Sequence, residues 1–66
     1  MSEIEINFPK HIKMPEGYKV IWTSSVEMYL VIGPNNYEDG PYCCRWLARR
    51  AAIREFTRRL KDDQAS

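Results

Sequence analysis

The sequence predicts an α+β fold in which a three-stranded antiparallel sheet is followed by one C-terminal α-helix packed on it. Two runs rich in aromatic and β-branched residues, 18–23 and 28–32, are typical of strands. A third segment, 45–61, repeats apolar side chains at three- and four-residue steps, which is the period of a helix. A chain of 66 residues has room for one domain with one small core.

Residues 1–17 are predicted to form an irregular N-terminal arm. Ile4 and Ile6 alternate with acidic residues near the start, so a short edge strand and a frayed arm both remain open. Two prolines and one glycine then interrupt residues 8–17 and disfavour regular structure there. The single β-β-β-α domain is expected to span residues 18–62.

The position of the third strand is the least determined part of the domain. The connector at 34–41 is polar and dense in turn-forming residues. Beyond it, large side chains alternate over residues 41–47, which suits a strand, whereas Pro41 could equally open a helix in its first turn. We expect a strand at 41–47, then a helix from about residue 48 to 62, and a frayed tail at 63–66.

The predicted helix has an apolar side that we expect to pack across the sheet. The apolar positions recur at helical spacing, and the two strands offer large side chains to receive them. The expected contact residues on the helix are Ala52, Ile53, Phe56 and Leu60, and those on the sheet are Val20, Trp22, Leu30, Ile32 and Trp46.

The formal net charge of +1 hides a strong asymmetry along the chain. Residues 45–61 carry seven basic side chains and one acid, Glu55, whereas residues 1–44 carry a net charge of −3. A local field of one sign indicates an anionic partner better than the total charge does. The simpler interpretation, a solvated polar face that keeps a small protein in solution, remains open.

All six arginines of the chain lie between Arg45 and Arg59. The guanidinium group forms bidentate, charge-assisted hydrogen bonds with phosphate and stays protonated, so the sequence favours a nucleic-acid-binding module. The predicted phosphate contacts are Arg49, Arg50, Arg54 and Arg58, with Arg45 as the candidate for a base or groove contact. Base reading would need further groups on the exposed sheet face, for which the candidates are Tyr18, Lys19, Thr23, Tyr29 and Arg45.

The alternative function is a protein-interaction or inhibitor module, which could act as a homodimer. Arginine, tryptophan, tyrosine and methionine are also the residues enriched at the centres of protein interfaces. The two hypotheses make different predictions about the surface. A basic patch continuous over helix and sheet favours nucleic acid, whereas arginines scattered around an apolar patch favour an acidic protein surface.

The sequence predicts neither an enzyme nor a cofactor or metal site. His11 is the only histidine, and no acid–base partner stands at a recognisable spacing from it. Cys43 and Cys44 are adjacent, which disfavours both a disulfide between them and a shared metal ion. An acidic N-terminus and the lack of a membrane-length apolar run lead us to expect a reduced, cytoplasmic protein without a membrane partner.

Overall fold

A computed structural model describes residues 3–65, with side chains described for residues 3–63. The chain forms four antiparallel strands, paired in sequence order, followed by one helix packed on the sheet. The predicted α+β class is therefore confirmed, with one strand more than expected. The elements are β1 (Glu3–Glu5), β2 (Lys19–Thr23), β3 (Met28–Ile32), β4 (Glu38–Tyr42) and α1 (Arg45–Ala65).

The additional strand, β1, is a three-residue edge strand within the segment predicted as an irregular arm. It pairs with β2, and the next residue continues the pairing because the Ile6 amide donates a hydrogen bond of 2.8 Å to the Val20 carbonyl. Residues 6–17, which we call the strap, contain no further strand or helix. Met1, Ser2 and Ser66 lie outside the described residues, so the expectations for them are not tested.

The prediction of a strand at 41–47 is wrong. The strand that follows β3 is β4, which begins at Glu38 and ends at Tyr42. Asn35 and Asn36 both take positive φ angles, 57° and 62°, and reverse the chain within a few residues. A hydrogen bond of 2.9 Å from the Gly33 amide to the Tyr37 carbonyl closes this turn. The polar connector is therefore shorter than predicted, and β4 occupies its second half.

The helix consequently begins at Arg45 rather than at residue 48, and it continues to Ala65. Its first turn closes with a hydrogen bond of 3.2 Å from the Ala48 amide to the Cys44 carbonyl. Residues 45–47, which alternate as a strand would, are thus helical. A short alternating pattern did not distinguish the two structures.

A β-bulge at Gly40 shapes the outer edge of the sheet. Tyr29 pairs with Tyr42 and Val31 pairs with Asp39, so Leu30 faces the extra residue of β4. Gly40 has a φ of +131°, and a Cβ atom there would lie 2.9 Å from a Leu30 methyl carbon and 3.0 Å from the Tyr29 carbonyl oxygen. Only glycine satisfies both conditions.

The helix packs on the sheet through its smallest side chains. Ala48 and Ala52 are fully buried against Val20 and Val31, which oppose each other on the central strands and are also fully buried. Phe56 packs beside them, so the contacts predicted for Ala52 and Phe56 are confirmed. The short alanine side chains let the helix axis approach the sheet closely.

The contacts predicted for Leu30, Ile32 and Leu60 are wrong. Leu30 opposes Ile21 and Ile32 opposes Lys19, which places them on the face of the sheet away from the helix. Leu60 is 45% exposed. The apolar pattern therefore identified the helix and two residues of its buried side, Ala52 and Phe56, but it missed Ala48 and wrongly included Leu60.

Tyr18 is the largest side chain of the buried core. Its ring meets Tyr37 and Phe56 edge-on, with centroid distances of 6.0 and 6.1 Å, and it lies beneath Gly33. Its hydroxyl is buried and has no hydrogen-bond partner among the described residues. Such a group loses its hydration on folding without regaining a hydrogen bond.

We expect Tyr18→Phe to leave the free energy of unfolding unchanged or to raise it by about 1 kcal/mol, because it removes that unpaired hydroxyl and keeps the ring. The matched control is Tyr42→Phe, which removes a hydroxyl that donates a hydrogen bond to Asp39. The control should lower stability by about 1 kcal/mol. Urea denaturation of the three proteins measures both effects. A Tyr18→Phe variant less stable than Tyr42→Phe would contradict this description of the core.

Candidate nucleic-acid interface

The outward side of α1 carries a regular row of polar and basic side chains. With about 100° of rotation per residue, positions i, i+4, i+7 and i+11 fall within about 60° of one another. The row that begins at residue 50 lies on the side of the helix opposite the buried residues Ala48 and Ala52. All four members are exposed, and we call them the outer row: Arg50, Arg54, Thr57 and Lys61.

The three cations of the outer row make no ion pair with an acidic side chain among residues 3–63. Two of them, Arg50 and Arg54, are predicted site residues. Lys61 was not among the predicted contacts, although its spacing from Arg54 already placed it on the same side of a helix. The row extends about 16 Å along the helix, at about 1.5 Å per residue.

The predicted site residue Arg58 lies beside the outer row but is already paired. Its guanidinium group donates to Glu55 at 2.7 Å and to Asp62 at 3.2 Å, and its side chain is 60% exposed. Arg59 also donates to Glu55, at 2.8 Å. The Arg58–Asp62 pair is exposed on both sides and contributes little to folding stability. All three pairs neutralise part of the positive charge.

The side chain of Glu55 is enclosed by these two arginines and is only 11% exposed. Hydrogen bonds from Arg58 and Arg59 lower the pKa of its carboxyl group to about 2. The same bonds raise the pKa values of both guanidinium groups. The acid of the central helix is thus held away from the outer row, and it stays ionised at neutral pH.

The two remaining predicted site residues, Arg49 and Arg45, lie away from the row, about 100° and 140° around the helix from Arg50. Arg49 donates two hydrogen bonds, of 3.2 and 3.0 Å, to the Lys13 carbonyl and so fastens the strap to the helix. The Arg45 guanidinium lies 5.5 Å from the centre of the Trp46 ring, within the range of a cation–π contact. The structure therefore places the five predicted arginines on one helix but in three different environments.

A shallow, open groove runs along the C-terminal half of the outer row. Its lining residues are Arg54, Thr57, Arg58 and Lys61. Three cations and one hydroxyl donor around a depression can offer hydrogen bonds and positive charge to a single anionic group. Among residues 3–63, no acidic side chain lines this groove.

Three acidic residues of the strands, Glu3, Glu5 and Glu38, lie on the side of the sheet opposite the helix. Glu5 opposes Ile21 and Glu38 opposes Ile32, so both carboxylates project from the sheet face that α1 does not cover. Glu3 shares this face, where Lys19 is the cation provided by the strands. Helix and sheet therefore present opposite charges on opposite sides.

The residues predicted to read bases are not arranged for that role. Tyr18 and Thr23 are each only 7% exposed, and Thr23 is hydrogen-bonded to Ser25. Lys19 projects from the acidic face, away from the arginines. The basic surface of the helix does not continue onto the described strands, whose one cation, Lys19, lies on the acidic face.

Large apolar side chains interrupt the basic surface of α1. Trp46, Leu47 and Leu60 are 43%, 44% and 45% exposed, and the Trp46 ring meets Phe8 of the strap in a tilted contact with the ring centroids 5.2 Å apart. Exposed side chains of this size among arginines are also typical of protein interfaces. Arginines scattered around apolar side chains were expected for a module that binds an acidic protein surface, so this feature favours a protein partner.

The described residues hold no group of three or more histidine, cysteine or acidic side chains that could bind a metal ion. Cys43 is exposed and Cys44 half-buried, and both are unpaired thiols. α1, the one helix within residues 3–65, lacks the apolar stretch that crossing a membrane requires. No protein-family model, curated protein or solved structure matches the chain, so function has to be argued from this geometry.

We expect Glu55→Gln to flatten the acid dependence of stability. Because the folded-state pKa of Glu55 is lowered from 4.5 to about 2, its contribution is complete above pH 4.5 and is lost as the pH falls towards 2. The difference in unfolding free energy between wild type and variant should therefore shrink across that range. Urea denaturation at several pH values measures it. A difference that is independent of pH would show that Glu55 does not hold these arginines in solution.

Proposed function

We propose that the protein is a non-enzymatic module that binds the phosphate backbone of nucleic acid through the outer row of α1. The observation that supports this most directly is the row itself. Arg50, Arg54 and Lys61 are exposed, lie on one side of a rigid element and have no acidic partner within the described side chains. These groups can bind phosphate without first breaking an ion pair.

The groove beside Arg54 is the position at which one phosphate group would sit. Arg54 and Lys61 supply charge there, and the Thr57 hydroxyl supplies a further donor. Arg58 can join them by exchanging one of its two carboxylate partners for phosphate. Arg50 lies about 6 Å further along the helix, at four residues of about 1.5 Å each, and would contact a neighbouring phosphate.

The opposite charges of helix and sheet orient the molecule towards a polyanion. Glu5 and Glu38 are repelled by a phosphate backbone, whereas the outer row is attracted to it. The protein would therefore approach with the helix leading. Long-range attraction of this kind speeds association and weakens as the ionic strength rises.

The proposed binding is largely independent of sequence. Phosphate contacts fix position and orientation, whereas bases are read by groups that enter a groove. Tyr18 and Thr23 are buried and cannot serve that purpose. Arg45, exposed at the start of the helix, is the predicted residue that stays accessible for a groove contact.

The second candidate function is binding to an acidic protein surface. The observation that favours it is the exposure of Trp46, Leu47 and Leu60 beside the arginines. A protein partner would bury these side chains, while nucleic acid would leave most of them in water. The two functions therefore predict different consequences for substitutions of apolar and of basic residues.

We expect the double variant Arg50→Glu/Arg54→Glu to lose more than about tenfold in affinity for a labelled DNA duplex at low salt, since it reverses two of three unpaired charges. For the wild-type helix, three phosphate contacts should give a slope of about −3 for the logarithm of affinity against the logarithm of salt concentration. Fluorescence anisotropy across a salt series, with duplex DNA and single-stranded RNA, measures both quantities.

A matched control reverses two charges elsewhere. Lys10→Glu/Lys19→Glu changes the net charge by the same amount, in the strap and on the acidic sheet face, and should retain most of the affinity. Circular dichroism should show that both variants are folded, because all four positions are exposed. Equal losses in the two variants, or no binding by the wild type at low salt, would exclude the proposed interface.

A further inference from the structure

We infer that the acidic face of the sheet is a second binding surface, and that its partner is a cationic amphipathic helix of another protein. This face carries an apolar strip along its middle and carboxylates at both edges. It lies on the side of the molecule opposite the outer row, so the inference does not depend on the proposed function.

The acidic face is the side of the sheet that the described chain leaves uncovered. α1 and the strap both pack on the side of Val20 and Val31, the strap through Phe8 and Met14. Because side chains alternate along a strand, the intervening residues of β2 and β3 project from the other side. No further helix or strand is present within residues 3–65 to form a layer there.

The middle of the acidic face is apolar. Met28, Leu30 and Ile32 alternate along β3, and each of them is half-buried. Ile21 lies between Glu5 and Leu30 in the register and is only 7% exposed. A sheet face that stays in water usually carries polar side chains at such positions, so this apolar strip indicates a surface that a partner covers.

Carboxylates border the strip on both sides. Glu3 and Glu5 project from β1 at one edge, and Glu38 projects from β4 at the other. All three are exposed, and none makes an ion pair among residues 3–63. With Lys19 on the same face, three negative charges and one positive charge give −2. A partner that brings cations can therefore bind these carboxylates without first breaking an ion pair.

The dimensions of the surface fit one helix. The strip from Met28 to Ile32 is about 14 Å long, at about 3.4 Å per residue, and two to three helical turns of about 5.4 Å span that length. β1 and β4 are about 14 Å apart, which is three strand spacings of about 4.8 Å. A helix with its side chains is about 10–12 Å wide. Apolar residues in its middle would meet the strip, while cations on its two flanks would reach the carboxylates at both edges.

The charges disfavour a second copy of the chain as the partner. Two acidic faces packed together would place like charges against each other. The α1 helix of another copy would bring cations, but Arg50 and Lys61 occupy the middle of its exposed side and would lie over Leu30 rather than over a carboxylate. The complementary arrangement is a helix of another protein with apolar residues in the middle and cations on both flanks.

Together with the proposed function, this surface would make the protein an adaptor. Binding on opposite sides keeps the two partners from competing for residues of this chain. A cationic helix is itself attracted to a polyanion, so a module with one charge on each side could join both partners in one assembly.

The test uses two synthetic peptides of the same composition as probes. The amphipathic peptide has leucines at positions i, i+3, i+4 and i+7 and lysines elsewhere, and the scrambled peptide spreads the leucines around the helix. Fluorescence anisotropy with labelled peptides at low salt should show that the wild type binds the amphipathic peptide at least about tenfold more tightly. Amide chemical-shift changes should centre on Ile21, Leu30 and Ile32 and leave Arg50 and Arg54 unchanged.

Charge-reversal variants test the two edges. Glu5→Lys/Glu38→Lys removes one carboxylate from each edge and should weaken binding of the amphipathic peptide at least about tenfold. The matched control is Glu16→Lys/Glu27→Lys, which makes the same change in net charge in the strap and in the turn between β2 and β3. All four positions are exposed, and the control should retain most of the affinity.

A polar substitution tests the apolar strip independently of charge. Ile32→Gln should weaken binding about fivefold, because it removes apolar surface that the peptide would cover. Val26→Gln is the matched control, since Val26 is 53% exposed in the turn between β2 and β3 and lies outside the strip. Circular dichroism should show that every variant is folded.

Four results would overturn the inference: equal affinity for the two peptides, equal losses in the two charge-reversal variants, shift changes centred on α1, or an Ile32→Gln variant that binds as the wild type does. Shifts of the Leu30 amide that depend on protein concentration without peptide would assign the face to a second copy, and would also overturn it. Arg50→Glu/Arg54→Glu should lose affinity for DNA but keep its affinity for the peptide. That variant separates failure of this inference from failure of the proposed function.

Discussion

The packing of Ala48 and Ala52 against Val20 and Val31 is the contact on which the rest of the structure depends. All four side chains are fully buried, and the alanines allow a close approach of helix and sheet. This contact fixes the rotation of α1 about its own axis. Every other side chain of the helix then has a determined direction, including the unpaired cations that point away from the sheet.

The rotation of the helix also explains the distribution of charge. Glu55 faces towards the sheet side of the helix, where Arg58 and Arg59 enclose it, and Arg59 also lies 5.4 Å from the Tyr37 ring. The outer row retains charge because the one acid of the central helix is occupied elsewhere. Glu3, Glu5 and Glu38 project from the far side of the sheet. A small net charge is therefore compatible with a strong local field on each side of the molecule.

Sequence patterns identified the elements whose signals are strong and local. β2 and β3 are apolar and β-branched, and the middle of α1 has clear helical periodicity, so all three could be predicted. β1 was one of two open alternatives, because it has two acids in three residues. β4 was not predicted, since it reads EDGPY, a composition poor in strand-forming side chains. Their pairing depends on neighbours and on a turn formed by two asparagines.

The candidate site was predictable where it depends on local spacing along the helix. The recurrence of Arg50 and Arg54 is independent of where the helix begins, and the pairing of Glu55 with Arg58 and Arg59 follows from three- and four-residue spacing. Ala52 and Phe56 were predicted on the buried side of the helix, but the dominant part that the alanines play in its packing was not predictable, because alanine contributes little hydrophobicity although it permits the closest packing. The bond from Arg49 to the Lys13 carbonyl joins residues 36 positions apart and has no local signal.

The most direct test of this account is a map of amide chemical shifts as a short DNA duplex is added to isotopically labelled protein at low salt. The account predicts that the largest changes fall on the helix at Arg50, Arg54 and Lys61, while the amides of Glu5 and Glu38 on the acidic face change little. Changes centred on the sheet, or spread evenly over both sides, would contradict the claim that the rotation of α1 creates a phosphate-binding surface.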